Sequence, residues 1–283
     1  GGGGKTTAMF RLAQELADAG RHVVTTSTTR IFSTQTRLAP YHLRLDQLTY
    51  LPFELTAALT RHRHVLVTGL TDDIADKAPG VPVETVELIR QLPGVDFVLV
   101  EADGARMRSL KAPAEHEPVV PASTTVLVPV VGLDVLQRPL TDAFVHRAAR
   151  VAALTGAAPG APVTPELVAD LLGLAQGGLK GRPAGARVIP LLNKTDLLSA
   201  AQQSEVSARL AVRLLRKTAA ISAVLLGAVA MPDPVTAAVG RVAGKIHLVR
   251  DDHHGHPLFG QTSYHRQHFT YHSGVKGRGG LVK

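Results

Sequence analysis

Lys5 and Thr6 close a run of four glycines in "GGGGKTT", Gly1-Gly2-Gly3-Gly4-Lys5-Thr6-Thr7. That order of residue types suits one chemistry. Glycines let main-chain N–H groups turn toward phosphate oxygens with no side chain in the way. The lysine neutralises β/γ charge, and a Thr hydroxyl helps hold Mg²⁺. A helix starting directly behind the loop aims its positive end at the same anion. The full consensus for such a loop asks for another glycine five positions before Gly4, ahead of residue 1. A glycine run also serves as a flexible leader, so other residues must decide between the two.

Two further stretches bear on the decision. "FVLVEADG" (97–104) is an apolar run that delivers Glu101 and Asp103 to its tip. Nucleotide-hydrolysing enzymes place a carboxylate on Mg²⁺ or its water shell in this way. Lys5, Glu101 and Asp103 are therefore the candidate catalytic residues, with Thr6, Glu101 and Asp103 as Mg²⁺ ligands. The spacing Glu101-x-x-Gly104 parallels the Asp-x-x-Gly loop of GTPases. "LLNKTD" supplies Asn193-Lys194-Thr195-Asp196, the Asn-Lys-x-Asp pattern whose carboxylate accepts from guanine N1 and N2. Asn and Asp are also favoured turn residues. The candidate nucleotide-binding set is Gly2, Gly3, Gly4, Lys5, Thr6, Thr7, Asn193, Lys194 and Asp196, with ATP and GTP both open.

Behind the acid-tipped run, Arg106, Arg108 and Lys111 could meet phosphates or an anionic pterin. Glu115, His116 and Glu117 form an acid–imidazole cluster able to bind metal or move protons. Pro113, Pro118 and Pro121 hold the chain extended between them. A salt-bridged surface loop is the plainer alternative. Thr25, Thr26, Thr28 and Thr29 could act as a switch-like loop, or could simply suit a strand. His146 and Arg147 are expected in a helix, on its surface or in an ion pair, with catalysis the weaker alternative. Asp251, Asp252, His253, His254 and His256 are metal-capable, although adventitious binding or disorder also explains them.

The elements that must position these residues follow from hydrophobic patterning. Helices are expected at 5–19, 83–92, 139–154, 164–172 and 199–217. Strands are expected at 22–29, 64–69, 96–104, 124–132, 186–194 and 222–230. Short apolar strands alternating with helices predict a parallel sheet covered on both faces, with ligands at the carboxyl ends of the strands. Thr25–Thr29, Glu101–Gly104 and Asn193–Asp196 all fall at such ends.

Composition narrows the class. The chain has 283 residues, 45% of them apolar, and no cysteine. Disulfides, Cys-ligated metals and thiol nucleophiles are thereby excluded. No apolar run reaches the ~18 residues of a membrane span, and no secretory leader is seen, so a cytoplasmic protein is expected. The net charge of +8 is concentrated late: residues 241–283 hold seven Lys/Arg against Asp251 and Asp252. Seven of the thirteen histidines crowd into 246–283. The division expected is a domain at 1–245 and a basic, His-rich tail at 246–283. Membrane partners are not expected, and nucleic acid is a weak alternative.

"GGGGKTT", "TTSTTRI", "VEADGARMRSLKAPAEHEPVVP", "VVGLDVLQRPL" with "VHR", and "LLNKTD" together resemble the YqeC family across roughly residues 1–230. These are accessory proteins for selenium-dependent molybdenum hydroxylases, also described as selenium cofactor biosynthesis proteins. The block 100–121 is the most specific part. The resemblance implies an α/β, three-layer P-loop NTPase-like fold with a mostly parallel central sheet, its first strand truncated here. It also implies Mg²⁺ with ATP or GTP, an indirect link to the molybdenum cofactor, and molybdenum hydroxylase or cofactor-maturation proteins as partners. With no cysteine, selenium cannot ride on this chain as a selenosulfide. A phosphotransferase or nucleotidyltransferase acting on a pterin-like molecule is the alternative, and a non-hydrolysing scaffold is another.

Overall fold

The computed structural model of the protein describes residues 2–69, 77–229, 246–251 and 257–262, the last two segments as backbone. The chain builds two main sheets in succession, the first wholly parallel and the second parallel over its first three strands, besides three two-stranded pairings. Helix α1 (Lys5–Asp18) leads into β1 (Val23–Ser27), a β-branched run buried along its whole length. Strand β2 (His42–Arg44), helix α2 (Leu51–His62), strand β3 (His64–Thr68), helix α3 (Val83–Gln91) and strand β4 (Phe97–Glu101) follow. The order is β2-β3-β1-β4, all parallel, with Ser27 level with Glu101.

Side-chain alternation sorts the helices onto the two faces of this sheet. Val24, Val65 and Val67 pack with Leu55, Leu59, Val86 and Ile89 of α2 and α3. Leu66 points the other way, into a cluster with Met9 and Phe10 of α1 and with Ile31. The result is three layers, with α1 alone on one side.

The second sheet has the order β9-β8-β7-β6-β5. Its strands are β5 (Val130–Gly132), β6 (Leu191–Asn193), β7 (Val224–Gly227), β8 (Ile246–Asp251) and β9 (Pro257–Thr262). The first three are parallel, and β8 and β9 are added antiparallel. Helices α4 (Ala148–Thr155), α5 (Pro165–Gly173), α6 (Ala200–Val206) and α7 (Val212–Lys217) complete this half, with one π-type turn at Ser207–Ala211 between the last two. Thr164 caps α5 by accepting from Leu167 N–H at 3.2 Å, and Pro165 occupies the first position, where no N–H is needed. The core here joins Val131, Leu192 and Leu226 to Val151, Val168, Leu171 and Leu214.

The mixed, mostly parallel α/β character matches expectation, while several elements differ. The strands expected at 124–132 and 186–194 are each interrupted, at Pro129 and Pro190, because proline cannot donate to a ladder. The helix expected over 139–154 starts only at Ala148. Arg147 has φ 62, the left-handed region, and Val145–His146 instead pairs in parallel with Leu110–Lys111. His146 and Arg147 therefore lie in a strand and at a helix cap rather than on a helix surface. Helix α2 and strand β2 were not expected.

Of the tail, 246–251 and 257–262 extend the second sheet, whereas Asp252, His253, His254 and His256 lie outside the described residues. Among the described residues, no helix is long and apolar enough to cross a membrane.

Candidate phosphate-binding site

The glycine loop is seated where the two sheets converge. Gly4 has φ 93, and a Cβ there would overlap Asn193 Nδ2. The Asn193 amide donates to Gly3 O at 3.1 Å, and its oxygen accepts from Val229 N–H at 2.8 Å. On the other side, Ser109 Oγ donates to Gly2 O at 3.1 Å, and Ser109 O accepts from Gly132 N–H at 3.0 Å. A Cβ on Gly2 would collide with the main chain of Met107. Glycine is thus required by close approach at Gly2, and by close approach together with positive φ at Gly4. Lys194 braces the seat from behind, reaching Ser109 Oγ at 3.1 Å and Asp134 Oδ2 at 2.7 Å.

Helix α1 starts at Lys5 with no side-chain cap and no acidic residue in its first turn. The N–H groups of a first turn have no intrahelical partner, so the positive end of this helix suits an anion. Two carboxylates flank it, Glu101 at the end of β4 and Asp103 just past it. Thr6 Oγ1 donates to Glu101 Oε2 at 2.7 Å, although the residues are 95 positions apart. Glu101 is only 8% exposed. A hydroxyl and a carboxylate in contact are hard oxygen donors of the kind Mg²⁺ takes alongside phosphate oxygens. Lys5 Nζ lies 3.3 Å from Asp103 Oδ1.

Beyond Asp103 the charges alternate. Lys111 Nζ reaches Asp103 Oδ2 at 2.9 Å, Glu117 Oε2 at 2.7 Å and Gly104 O at 2.6 Å. Arg147 Nη1 donates to the same Glu117 oxygen at 2.8 Å and to Ala112 O at 3.1 Å. Burial opposes ionisation of Glu117, but hydrogen bonds from Arg147 and Lys111 and the Lys111 charge outweigh it, lowering the pKa to about 2. Burial and the neighbouring charges of Arg147, Lys111 and Arg106 lower the His146 pKa.

The candidate residues do not all converge. Asp196 is exposed in a short 3₁₀ turn, and Asn193 is 2% exposed and spent on holding the loop. Thr7 is half-buried on α1 beside Thr6. Arg106 is exposed on a tight turn in which Arg106 (φ 44) and Met107 (φ 62) are both left-handed, closed by Arg108 N–H to Ala105 O at 2.8 Å. Arg108 Nε donates to Asp142 O at 3.0 Å.

Glu115 and His116 are exposed, His116 with its side chain 80% exposed and only its Nε2 approaching Glu117 Oε1 at 4.0 Å, the oxygen that Lys111 and Arg147 do not use. Among the described residues, no three His, Asp or Glu groups are gathered as a metal centre, so the Glu115–His116–Glu117 cluster is not assembled as one. Thr25 and Thr26 are buried in β1, bonded to His64 and to Val67 O, while Thr28 donates to Val119 O. These hydroxyls are engaged in holding the sheet and the following loop.

Ser109, Asp134 and Arg147 were not singled out as site residues from the sequence. All three lie within or next to the blocks already quoted, but their roles depend on partners 30 to 107 positions away.

Residues 1–149 match the family model described as YqeC protein. The chain belongs to the YqeC family. It is 31% identical over 218 residues to the Uncharacterized protein YqeC of Escherichia coli (strain K12), covering 74% of this chain and 83% of that one. No solved structure matches. The family match contains the glycine loop, Glu101, Asp103, Lys111, Glu117 and Arg147. The Asn193 clasp lies beyond residue 149.

Proposed function

We propose that this YqeC-family protein binds a nucleoside triphosphate with Mg²⁺ at the glycine loop and hydrolyses it while serving maturation of selenium-dependent molybdenum hydroxylases. One observation carries the nucleotide reading. Lys5 and Thr6, adjacent at the start of α1, meet Asp103 and Glu101 at the tip of β4. Phosphate would take the first-turn amides and Lys5, Mg²⁺ would take Thr6 and Glu101, and Asp103 would lie beside both. Asp196, exposed beyond the loop, is the remaining candidate for reading a guanine base. The selenium and molybdenum role rests on the family resemblance of residues 100–121.

Titration of the protein with Mg·GTP and Mg·ATP tests the nucleotide reading. Lys5→Ala is expected to weaken binding ~10–100-fold, the worth of a charge-assisted hydrogen bond. Asp196→Ala is expected to lower the GTP/ATP preference while leaving phosphate affinity intact. No binding of either nucleotide by the wild-type chain would sink the proposal. Product analysis then separates hydrolysis, which releases free phosphate, from transfer to a labelled acceptor.

A further inference from the structure

Lys5, Asp103, Lys111, Glu117 and Arg147 form one line of alternating charge running from the glycine loop to the start of α4. Asp103 is shared, one oxygen with Lys5 at 3.3 Å and the other with Lys111 at 2.9 Å. Glu117 is shared too, between Lys111 and Arg147. Lys111 is the pivot. Its side chain is 8% exposed, and its three contacts use all the donors an ammonium has. Through it, the strap 104–118 is tied at one end to the tip of β4 and at the other to Arg147.

We propose that this line is a nucleotide-gated latch, in which seating of Mg²⁺ and phosphate at Lys5 and Asp103 releases Lys111 to Glu117 and loosens the strap 104–118. The inference rests on the nucleotide reading above. A phosphate carries more charge than a carboxylate and is also met by the first-turn amides, so it draws Lys5 away from Asp103. A divalent cation beside Asp103 repels the Lys111 ammonium. Lys111 bonds both carboxylates at once, so the two arrangements are Lys111 shared between Asp103 and Glu117 and Lys111 held by Glu117 without Asp103, and in neither is its charge uncompensated. A coupling needs two such arrangements with different affinity for the ligand.

The two far members of the line give opposite signs. Removing Arg147 frees the Glu117 oxygen that it shares with Lys111, which favours the released arrangement. Neutralising Glu117 removes the alternative partner and holds Lys111 on Asp103. Arg147→Gln is therefore expected to bind Mg·nucleotide about fivefold more tightly, and Glu117→Gln about fivefold more weakly, than wild type. A purely structural role would move both in the same direction, and that outcome overturns the latch.

Hydrogen exchange on the full chain supplies the direct measure. Amides of 104–118 are expected to exchange at least about fivefold faster with Mg·GTP or Mg·ATP bound. Bound nucleotide with unchanged or slower exchange overturns the latch and leaves the nucleotide reading standing. Absence of binding by the wild-type chain overturns both. Exchange on the wild-type chain decides the matter even where a variant fails to fold.

Discussion

Gly4 shows how tightly one position can be constrained. Its φ of 93 and its contact with Asn193 leave no room for a Cβ. Gly4→Ala is expected to lower the melting temperature, with the left-handed backbone alone costing about 1–2 kcal/mol, and to abolish phosphate binding. A melt with and without Mg·nucleotide measures both. His64 gives a different kind of prediction. It is fully buried, its Nδ1 has no hydrogen-bond partner, and burial lowers its pKa from 6.5 to about 4. Below pH 6.5 the unfolded chain takes up a proton that the folded chain refuses. Stability should therefore fall between about pH 6.5 and pH 4, by up to ~3 kcal/mol. Burial lowers the pKa of His42 and His146 in the same sense. Glu117 acts in a lower window: its pKa is depressed from 4.5 to about 2, so its contribution is present above pH 4.5 and lost as pH falls toward 2. Urea midpoints against pH should show His64→Gln flattening the upper segment and Glu117→Gln the lower one.

Helix α1 has two jobs, presenting Lys5 and Thr6 at its start and filling one face of the first sheet with Met9, Phe10 and Ala13. Phe10 is completely buried, so Phe10→Ala is expected to cost about 3–5 kcal/mol in chemical denaturation. The cost should appear with or without nucleotide, separating the helix's packing from its end. This helix, β1, β3 and β4 were legible in the sequence because their apolar periods are strong and local. Helix α2 was not. It starts at Leu51 without a side-chain cap, with Pro52 in its first turn, and both Tyr50 and Phe53 are exposed, so the apolar stripe is blurred. The error at 139–147 has a related cause. "FVHRAAR" has helical composition, but Val145–His146 is captured by Leu110–Lys111, a pairing 35 residues away that no local pattern announces. The same pairing brings Arg147 onto Glu117. The glycine loop and its two carboxylates could therefore be read from the sequence, and the charged line behind them could not.

The molecule has separate cores, one around β1 and β3 and one around β5, β6 and β7. Glu101 and Asp103 reach the glycine loop from the first half, and Ser109, Gly132 and Asn193 from the second. Denaturation without ligand is expected to show two transitions, drawn together and raised by saturating Mg·nucleotide, since the loop that takes the ligand is itself seated by both halves and binding stabilises their joined state. Coincident transitions without ligand, unmoved by nucleotide, would contradict this. The Asn193 clasp also has a consequence for the order in which the chain is made. Gly3 precedes every partner that seats it, and the clasp closes only when Asn193 holds both Gly3 O and Val229 N–H. During synthesis the loop must wait, unfinished, while more than two hundred residues follow it from the ribosome. Competence to bind phosphate would then report that the distal half has folded, so a nascent chain arrested before β7 should fail to be retained on immobilised nucleotide although α1 and β1–β4 are already complete.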